Sequence, residues 1–363
     1  MRLFQNSGIY PAYRRRLASL VRPQSTFIEA RSVFLNDRFG ACHFLKPVLD
    51  SWPGSFFTNG DDPNLQRTWA REQGLPAKID LEAILLAQIE QHRTEVFYNL
   101  DPMRYASAFV KRLPGCVKRS IAWRAAPSPG ADFSAYSTVV CNFPSILKGY
   151  ASQGWRSAYL APAHDPVMNS YAENQFRPVD ILFVGGYSRH HRRRAEILEA
   201  VASLAGEHGV VFHLDNSRLT KLAESPLGMC LPLRKHRRPR HIQMISAEPV
   251  FGLELYEAIS QAKIVLNGAV DMAGEDRGNM RCFEALGCGA LMVSDVGVYP
   301  KGFVGGENML TYSSAEDVKK VLKSALMNPS ESRQMAMLGC SVIANEYSKE
   351  RQWEQFSNIV ANV

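Results

Sequence analysis

The feature that most constrains the fold is a repeating alternation. Short apolar runs of four to six residues recur at 95–100, 120–124, 136–141 and 156–160, then at 180–184, 210–214, 263–266 and 290–293, separated by stretches with helical spacing. Near-continuous apolar runs are what strands buried on both faces look like, and parallel neighbours need a crossover, usually a helix. The chain is therefore expected to be α/β, with parallel sheets covered by helices on both faces. Asp80 is expected to cap a helix that presents Leu81, Ile84 and Leu85 on one face.

The alternation pauses at Ala161-Pro162-Ala163-His164-Asp165-Pro166, which has the composition of a linker, and then restarts. Two domains follow, 1–163 and 164–344, with a final helix over 345–363. A chain of 363 residues is long enough for two sizeable cores. No run approaches the roughly 18 apolar residues of a membrane span, and the amino terminus lacks the apolar segment of a signal peptide. The seven cysteines are odd in number and form no C-x-x-C pair, which argues against a disulfide framework or a metal site. A cytoplasmic protein is the expectation. The formal charge of +7 favours anionic partners such as nucleotide phosphates or anionic lipid.

In open parallel sheets ligands collect beyond the carboxyl ends of the strands. Asp101 and Arg124 stand at two such ends in the first half. In the second half Gly185 and Gly186 follow the 180–184 run, Asn216 follows 210–214, and Asn267 follows 263–266. The Gly-Gly turn allows a phosphate to approach the backbone, with Arg189, Arg192 or Arg193 to pair with it. Neither the dinucleotide fingerprint nor the Walker motif is present. His43, beside the break at Gly40, is a candidate general base. Arg14–Arg16, with Tyr10 and Tyr13 close by, reads as a basic, aromatic patch facing an acceptor or a membrane surface, or as a solvated helix face, whereas Arg234–His241 lacks the stacking aromatics of a nucleic-acid site. Solvated surface or peripheral contact with an anionic membrane is the expectation for both.

The segment 276–295 carries the densest chemistry. Asp276 and Glu284 stand eight positions apart. Gly278 and Asn279 suit a loop, Met280 and Arg281 lead into a helix, and Ala290–Val293 reads as a buried strand. A loop entering a helix offers free N–H groups and a positive dipole end, which suit a phosphate. On spacing alone an ordinary loop–helix–strand unit fits equally well.

Asp276-x(7)-Glu284 resembles the E-x(7)-E element of nucleotide-sugar glycosyltransferases of GT-B fold. The text "KIVLN…NMRCFEALGCGALMVSD", and more weakly "TNGDDPNLQRTWAREQGL", resembles the CgeB-like (spore-maturation-protein) branch. The resemblance implies two Rossmann-like domains facing across a cleft, with the last helix crossing back onto the first. It puts the acceptor on the N-terminal domain and the donor on the C-terminal one. It also implies that Asp276 through Arg281 lie near the sugar-phosphate and Glu284 on the ribose. The first acid departs from the family pattern, being Asp rather than Glu. The candidate catalytic residues are then Asp276, Arg281, His43 and Asp101. A D-x-D metal anchor is absent, so metal-independent transfer is expected, with no cofactor beyond the nucleotide-sugar substrate and a glycan, lipid-linked or protein acceptor. An epimerase using Asp101 and Asp276, or a non-catalytic nucleotide- or polysaccharide-binding protein, stays open.

Overall fold

The computed structural model describes residues 1–187, 191–215, 217–233, 236–268 and 273–363. The chain folds as two compact units. Unit 1 comprises Met1–Ala163, Met272–Asp276 and Tyr347–Val363, and unit 2 comprises His164–Asp271 and Arg277–Glu346. Each contains a six-stranded sheet whose pairings are all parallel.

In unit 1 the strands are β1 (Leu3–Asn6), β2 (Ser55–Thr58), β3 (Val96–Asn99), β4 (Arg119–Trp123), β5 (Thr138–Cys141) and β6 (Ser157–Tyr159), in the order β2-β1-β3-β4-β5-β6. Phe4 on β1 stacks on Phe56 at 4.9 Å between centroids and is fully buried. The helix Phe27–Asn36 opens with a capping box, Thr26 and Glu29 satisfying each other's backbone N–H groups. Residues 41–49 form a 3-10 turn, Ala41–His43, and a short helix, Lys46–Leu49. Phe44 and Leu45 are extended between them, which no continuous helix tolerates.

The last helix is Lys349–Ala361, capped by Ser348, and it starts later than the expected 345. A separate helix, Pro329–Glu346, precedes it in unit 2. Lys349 is only 2 % exposed, so its ammonium requires full pairing. Its Nζ donates to the carbonyls of Ala41 (2.7 Å) and Phe44 (2.8 Å) and to Gln352 Oε1 (3.2 Å). Gln352 in turn donates to the carbonyls of Cys42 and Ala161. The final helix is thus fastened into unit 1 by buried polar bonds.

In unit 2 the strands are β7 (Val179–Gly185), β8 (Val210–Leu214), β9 (Ser246–Ala247), β10 (Ala262–Leu266), β11 (Leu291–Asp295) and β12 (Leu310–Tyr312), in the order β12-β11-β10-β7-β8-β9. Ile181, Phe183, Ile264, Leu266, Leu291 and Val293 supply its core from the sheet. Against the sheet lie the helices Met280–Gly287 and Pro329–Glu346. Gly339 lets these two approach closely. A Cβ on Gly339 would stand 2.7 Å from Leu286 Cδ2, while one on Gly287 would stand 2.4 Å from Met168 Sδ on the separate helix Met168–Ala172.

Strand order reverses between β1 and β3 in unit 1 and between β7 and β10 in unit 2. Crossovers leave such a switch point to opposite faces of the sheet, opening a crevice at the strands' carboxyl ends. Ligands in open parallel sheets collect at such places. The basic run 234–241 is partly turned inward. Arg238 forms a part-buried ion pair with Glu224 (2.6 Å), and Arg237 donates to the carbonyls of Ala223 and Gly228. Arg234 and Lys235 lie outside the described residues. No helix among the described residues is long and apolar enough to cross a membrane.

Candidate functional site

At the unit 2 switch point β7 ends in Gly185 and β10 leads directly into Asn267 and Gly268. Asn267 is 5 % exposed and works as a hub. Its Nδ2 donates to Ser294 Oγ (3.1 Å) and Cys282 Sγ (3.3 Å), its Oδ1 accepts from Asn279 Nδ2 (3.2 Å), and its carbonyl accepts from the Tyr312 hydroxyl (2.9 Å). Asn279 occupies the N-cap of the helix Met280–Gly287, yet its side chain makes no capping bond. The helix therefore starts without the side-chain acceptor that usually satisfies its leading N–H groups.

The loop before that helix is held on its other side. Arg277 Nε donates to Asp295 Oδ2 at 2.7 Å, with both side chains buried, and Arg277 N donates to the Val298 carbonyl. Tyr299 donates its hydroxyl to the Asp295 carbonyl. Gly278 turns the chain with φ +110°, a conformation L side chains rarely adopt. Gly186 has open space where a Cβ would sit, so its backbone is approachable.

Arg194, which sequence reasoning passed over, reaches this point: its Nη2 donates to the Gly268 carbonyl at 2.7 Å. Three successive arginines, 192 to 194, offered no basis for choosing among them. Arg193 reaches toward the Ser313 carbonyl instead. Arg189 and Asn216, both expected here, lie outside the described residues.

Glu284 sits inside the helix, 2 % exposed, and its Oε2 accepts from Arg281 Nη1 at 2.6 Å. Burial pushes its carboxyl pKa up, and the Arg281 guanidinium pulls it back down. Arg281 Nε is buried without a partner. Arg281, a candidate for the sugar-phosphate, is thus engaged by Glu284. Asp276 departs from expectation. It groups with unit 1, where its Oδ2 accepts from the Ser145 amide (2.6 Å) at the head of the helix Pro144–Ser152. The two acids of the 276–284 spacing therefore belong to different units.

The unit 1 switch point carries a second polar cluster. Asn6 at the end of β1 donates to Asn99 Oδ1 at the end of β3 (2.9 Å), and its own Oδ1 accepts from the Gly60 amide (2.8 Å). Asn99 donates to Tyr136, whose hydroxyl donates to the Tyr105 carbonyl. The Asp101 amide donates to Asn99 Oδ1 at 3.0 Å. Asp101 is half-buried, and a Cβ on Gly8 would stand 3.0 Å from its Oδ2. Burial raises its carboxyl pKa, and the negative charge of Asp61 raises it further. Asp61 itself is buried and held by the Ile9 amide and by Arg14 Nη2 (2.7 Å). Arg124 donates to Ser128 Oγ (2.8 Å).

His43 does not have the properties of a base. Its ring lies 4.4 Å from Trp123 between centroids, and its Nδ1 is buried without a hydrogen-bond partner. Burial, aided by the nearby Lys349 charge, pushes its pKa down to about 3. A base that weak accepts protons poorly at neutral pH. Asn6, Asn99 and Asp61 were missed because nothing local in sequence announces a cluster assembled from two strand ends and a loop. Among the described residues no three His, Cys, Asp or Glu side chains stand together as a metal site.

The comparisons agree with this architecture. Residues 189–358 match the family model described as "Glycosyl transferase-like". A search of curated protein sequences finds no match. Among solved structures, Anabaena HepE in complex with UDP and glucose is similar at TM-score 0.61 and 11% identity, over 100% of both chains. A glycosyltransferase from Rickettsia africae is similar at 0.59 and 8%, over 98% of this chain and 97% of that one. Sucrose-phosphate synthase from Thermosynechococcus elongatus is similar at 0.54 and 10%, over 99% and 98%. The chain has the GT-B fold of two Rossmann-like domains.

Proposed function

We propose that the protein transfers a sugar from a nucleotide-sugar donor, with the donor's nucleotide diphosphate held by unit 2 and the acceptor hydroxyl by unit 1. The observation that carries this reading is the start of the helix Met280–Gly287. It has no side-chain cap, follows a pinned loop, and is tied through Asn279 to Asn267 at the switch point. Helix N–H groups and the positive dipole end suit a diphosphate. They also suit the charge that grows on it as the glycosidic bond breaks. The match of residues 189–358 supports the reading, as does the resemblance in fold to a protein solved with UDP and glucose.

In this reading Glu284 accepts a hydrogen bond from the ribose, and Arg281 holds its carboxylate in place for that task. Asp101 takes the proton from the acceptor hydroxyl, since a carboxylate with a raised pKa is a better base than an ordinary one. The sequence text favours the CgeB-like branch, and the missing D-x-D favours transfer without a metal. Incubation with UDP-, GDP- and dTDP-sugars tests the class. Free nucleotide appearing with a glycosylated acceptor supports transfer. An isomerised nucleotide sugar, or unchanged nucleotide sugar bound to the protein, would replace it with an epimerase or a binding protein.

A further inference from the structure

Unit 1 holds a cavity of about 670 Å³ that none of the roles above uses. Its walls come from the helices Pro11–Leu20, Phe27–Asn36 and Pro63–Glu72 and from the loop that leaves β2. Helical spacing explains the lining. Arg14, Leu17 and Ala18 lie on one face of the first helix, and Arg67 and Arg71 lie one turn apart on the third. The cavity is mixed in character. Leu17, Val21, Phe34 and Leu65 give it apolar lining, and Arg14, Arg22, Arg67 and Arg71 give it cationic lining.

Charge inside the cavity is out of balance. Four guanidinium groups line it against one carboxylate, Asp62, whose pKa is raised by burial. Arg14 is committed to Asp61 through Nη2, but its Nε is buried without a partner. Among the described residues Arg22, Arg67 and Arg71 form no ion pair. Asn59 also lines the cavity, fully buried, with its Oδ1 unpartnered. A buried polar atom left unpaired is costly, and an acceptor among guanidinium groups suits a ligand that brings a hydroxyl.

We propose that this cavity binds the phosphate of an organic phosphate, with the carbon part of the ligand against the apolar lining. Several arginines converging on one space match the many acceptor oxygens of a phosphate better than a single carboxylate would. The location ties the ligand to the chemistry. Asn59 and Asp62 flank Asp61, and Arg14 bridges from the cavity wall to that same Asp61, whose charge raises the pKa of Asp101. The ligand is therefore assigned as the acceptor, one that carries phosphate near its reacting hydroxyl. That assignment rests on the proposed transferase reading, whereas the phosphate site itself does not.

The test uses the full-length protein and decyl phosphate as the probe, followed by calorimetry below its micelle concentration. The comparison is with R67A/R71A, both exposed helix positions where alanine keeps the helix. Saturable binding by the wild type, weakened about tenfold or more in the double variant, is the expected result. The melting temperature and UDP affinity of the double variant should match the wild type. Binding of the dispersed probe points to a soluble phosphate ester. Binding only to vesicles containing phosphatidic acid, and lost in the double variant, points to a lipid headgroup. Equal affinity in wild type and double variant, or no binding in either format, overturns the site. If decyl phosphate binds as expected while the wild type ignores every nucleotide, the donor reading fails and the phosphate site stands.

Discussion

Arg281 and Glu284 stand three residues apart on the helix that follows the Gly278 turn, with Nη1 and Oε2 at 2.6 Å and the carboxylate almost wholly buried. Burial raises the Glu284 carboxyl pKa, and the guanidinium opposes this. Removing one partner of a buried pair leaves the other charge uncompensated, at a cost of about 3 kcal/mol or more. Arg281→Ala is therefore expected to lower stability by roughly that amount. The sign of its pH dependence follows from linkage. A carboxyl whose folded pKa is raised holds its proton longer in the native state, so stability falls as pH rises through the unfolded value of about 4.3. The deficit of Arg281→Ala should be small near pH 4 and largest at neutral pH in urea unfolding. A deficit independent of pH would show that Glu284 is not its origin.

Asn267 joins the end of β10 to the helix cap. Asn267→Ala strands the Asn279 amide and the Ser294 hydroxyl, a loss of about 1–3 kcal/mol in stability. If the loop holds the diphosphate, UDP affinity should fall by about tenfold as well, because the helix start is no longer positioned. Calorimetry on the folded variant decides the point: loss of stability with unchanged nucleotide affinity would leave Asn267 a purely structural residue.

Asp101 is expected to set the acid limb of the pH–rate profile, since only its deprotonated form accepts the hydroxyl proton. Asp101→Asn should slow transfer by about a hundredfold or more. Asp61→Asn gives the sharper reading. It removes a like charge that raises the Asp101 pKa, so the acid limb should move to lower pH. A merely structural Asp61 would lower the rate without moving the limb.

His43 contributes through stability rather than rate. Its folded pKa of about 3 lies below the unfolded value of about 6.5, so the unfolded chain gains a proton first as pH falls. Stability from His43 is complete above pH 6.5 and is lost progressively below it. His43→Asn should therefore flatten the fall in melting temperature between pH 7 and pH 5 while leaving kcat near the wild-type value. A large loss of kcat with an unchanged melting profile would restore it as a candidate base.

Much of the architecture was legible because buried parallel strands announce themselves as apolar runs. The 263–266 and 180–184 runs fell within one or two residues of β10 and β7, and the restart near residue 164 separates the sheets. The Gly185-Gly186 turn and Asn267 were legible for the same reason, as strand ends. What escaped were relations between distant loops. Asn6 and Asn99 are 93 residues apart, and their bond exists only because β1 and β3 are neighbours in register. Asp276 looked like a partner of Glu284 because spacing along a chain says nothing about which side of a turn a residue joins. The helix Pro329–Glu346 went unrecognised, its sequence lacking a sharp apolar stripe, and the cavity between three helices of unit 1 could be found only after they were packed.

The most direct measurement is the melting temperature of the full-length protein with UDP, GDP, CMP and dTDP, each repeated on Asn267→Ala. A ligand that binds only the native state adds about 2.7 kcal/mol at a hundred times its dissociation constant. One nucleotide is expected to raise the melting temperature by several degrees, and the variant should lose most of that gain. No stabilisation by any of the four, or equal stabilisation of wild type and variant, would contradict a nucleotide-sugar site at the head of the Met280–Gly287 helix.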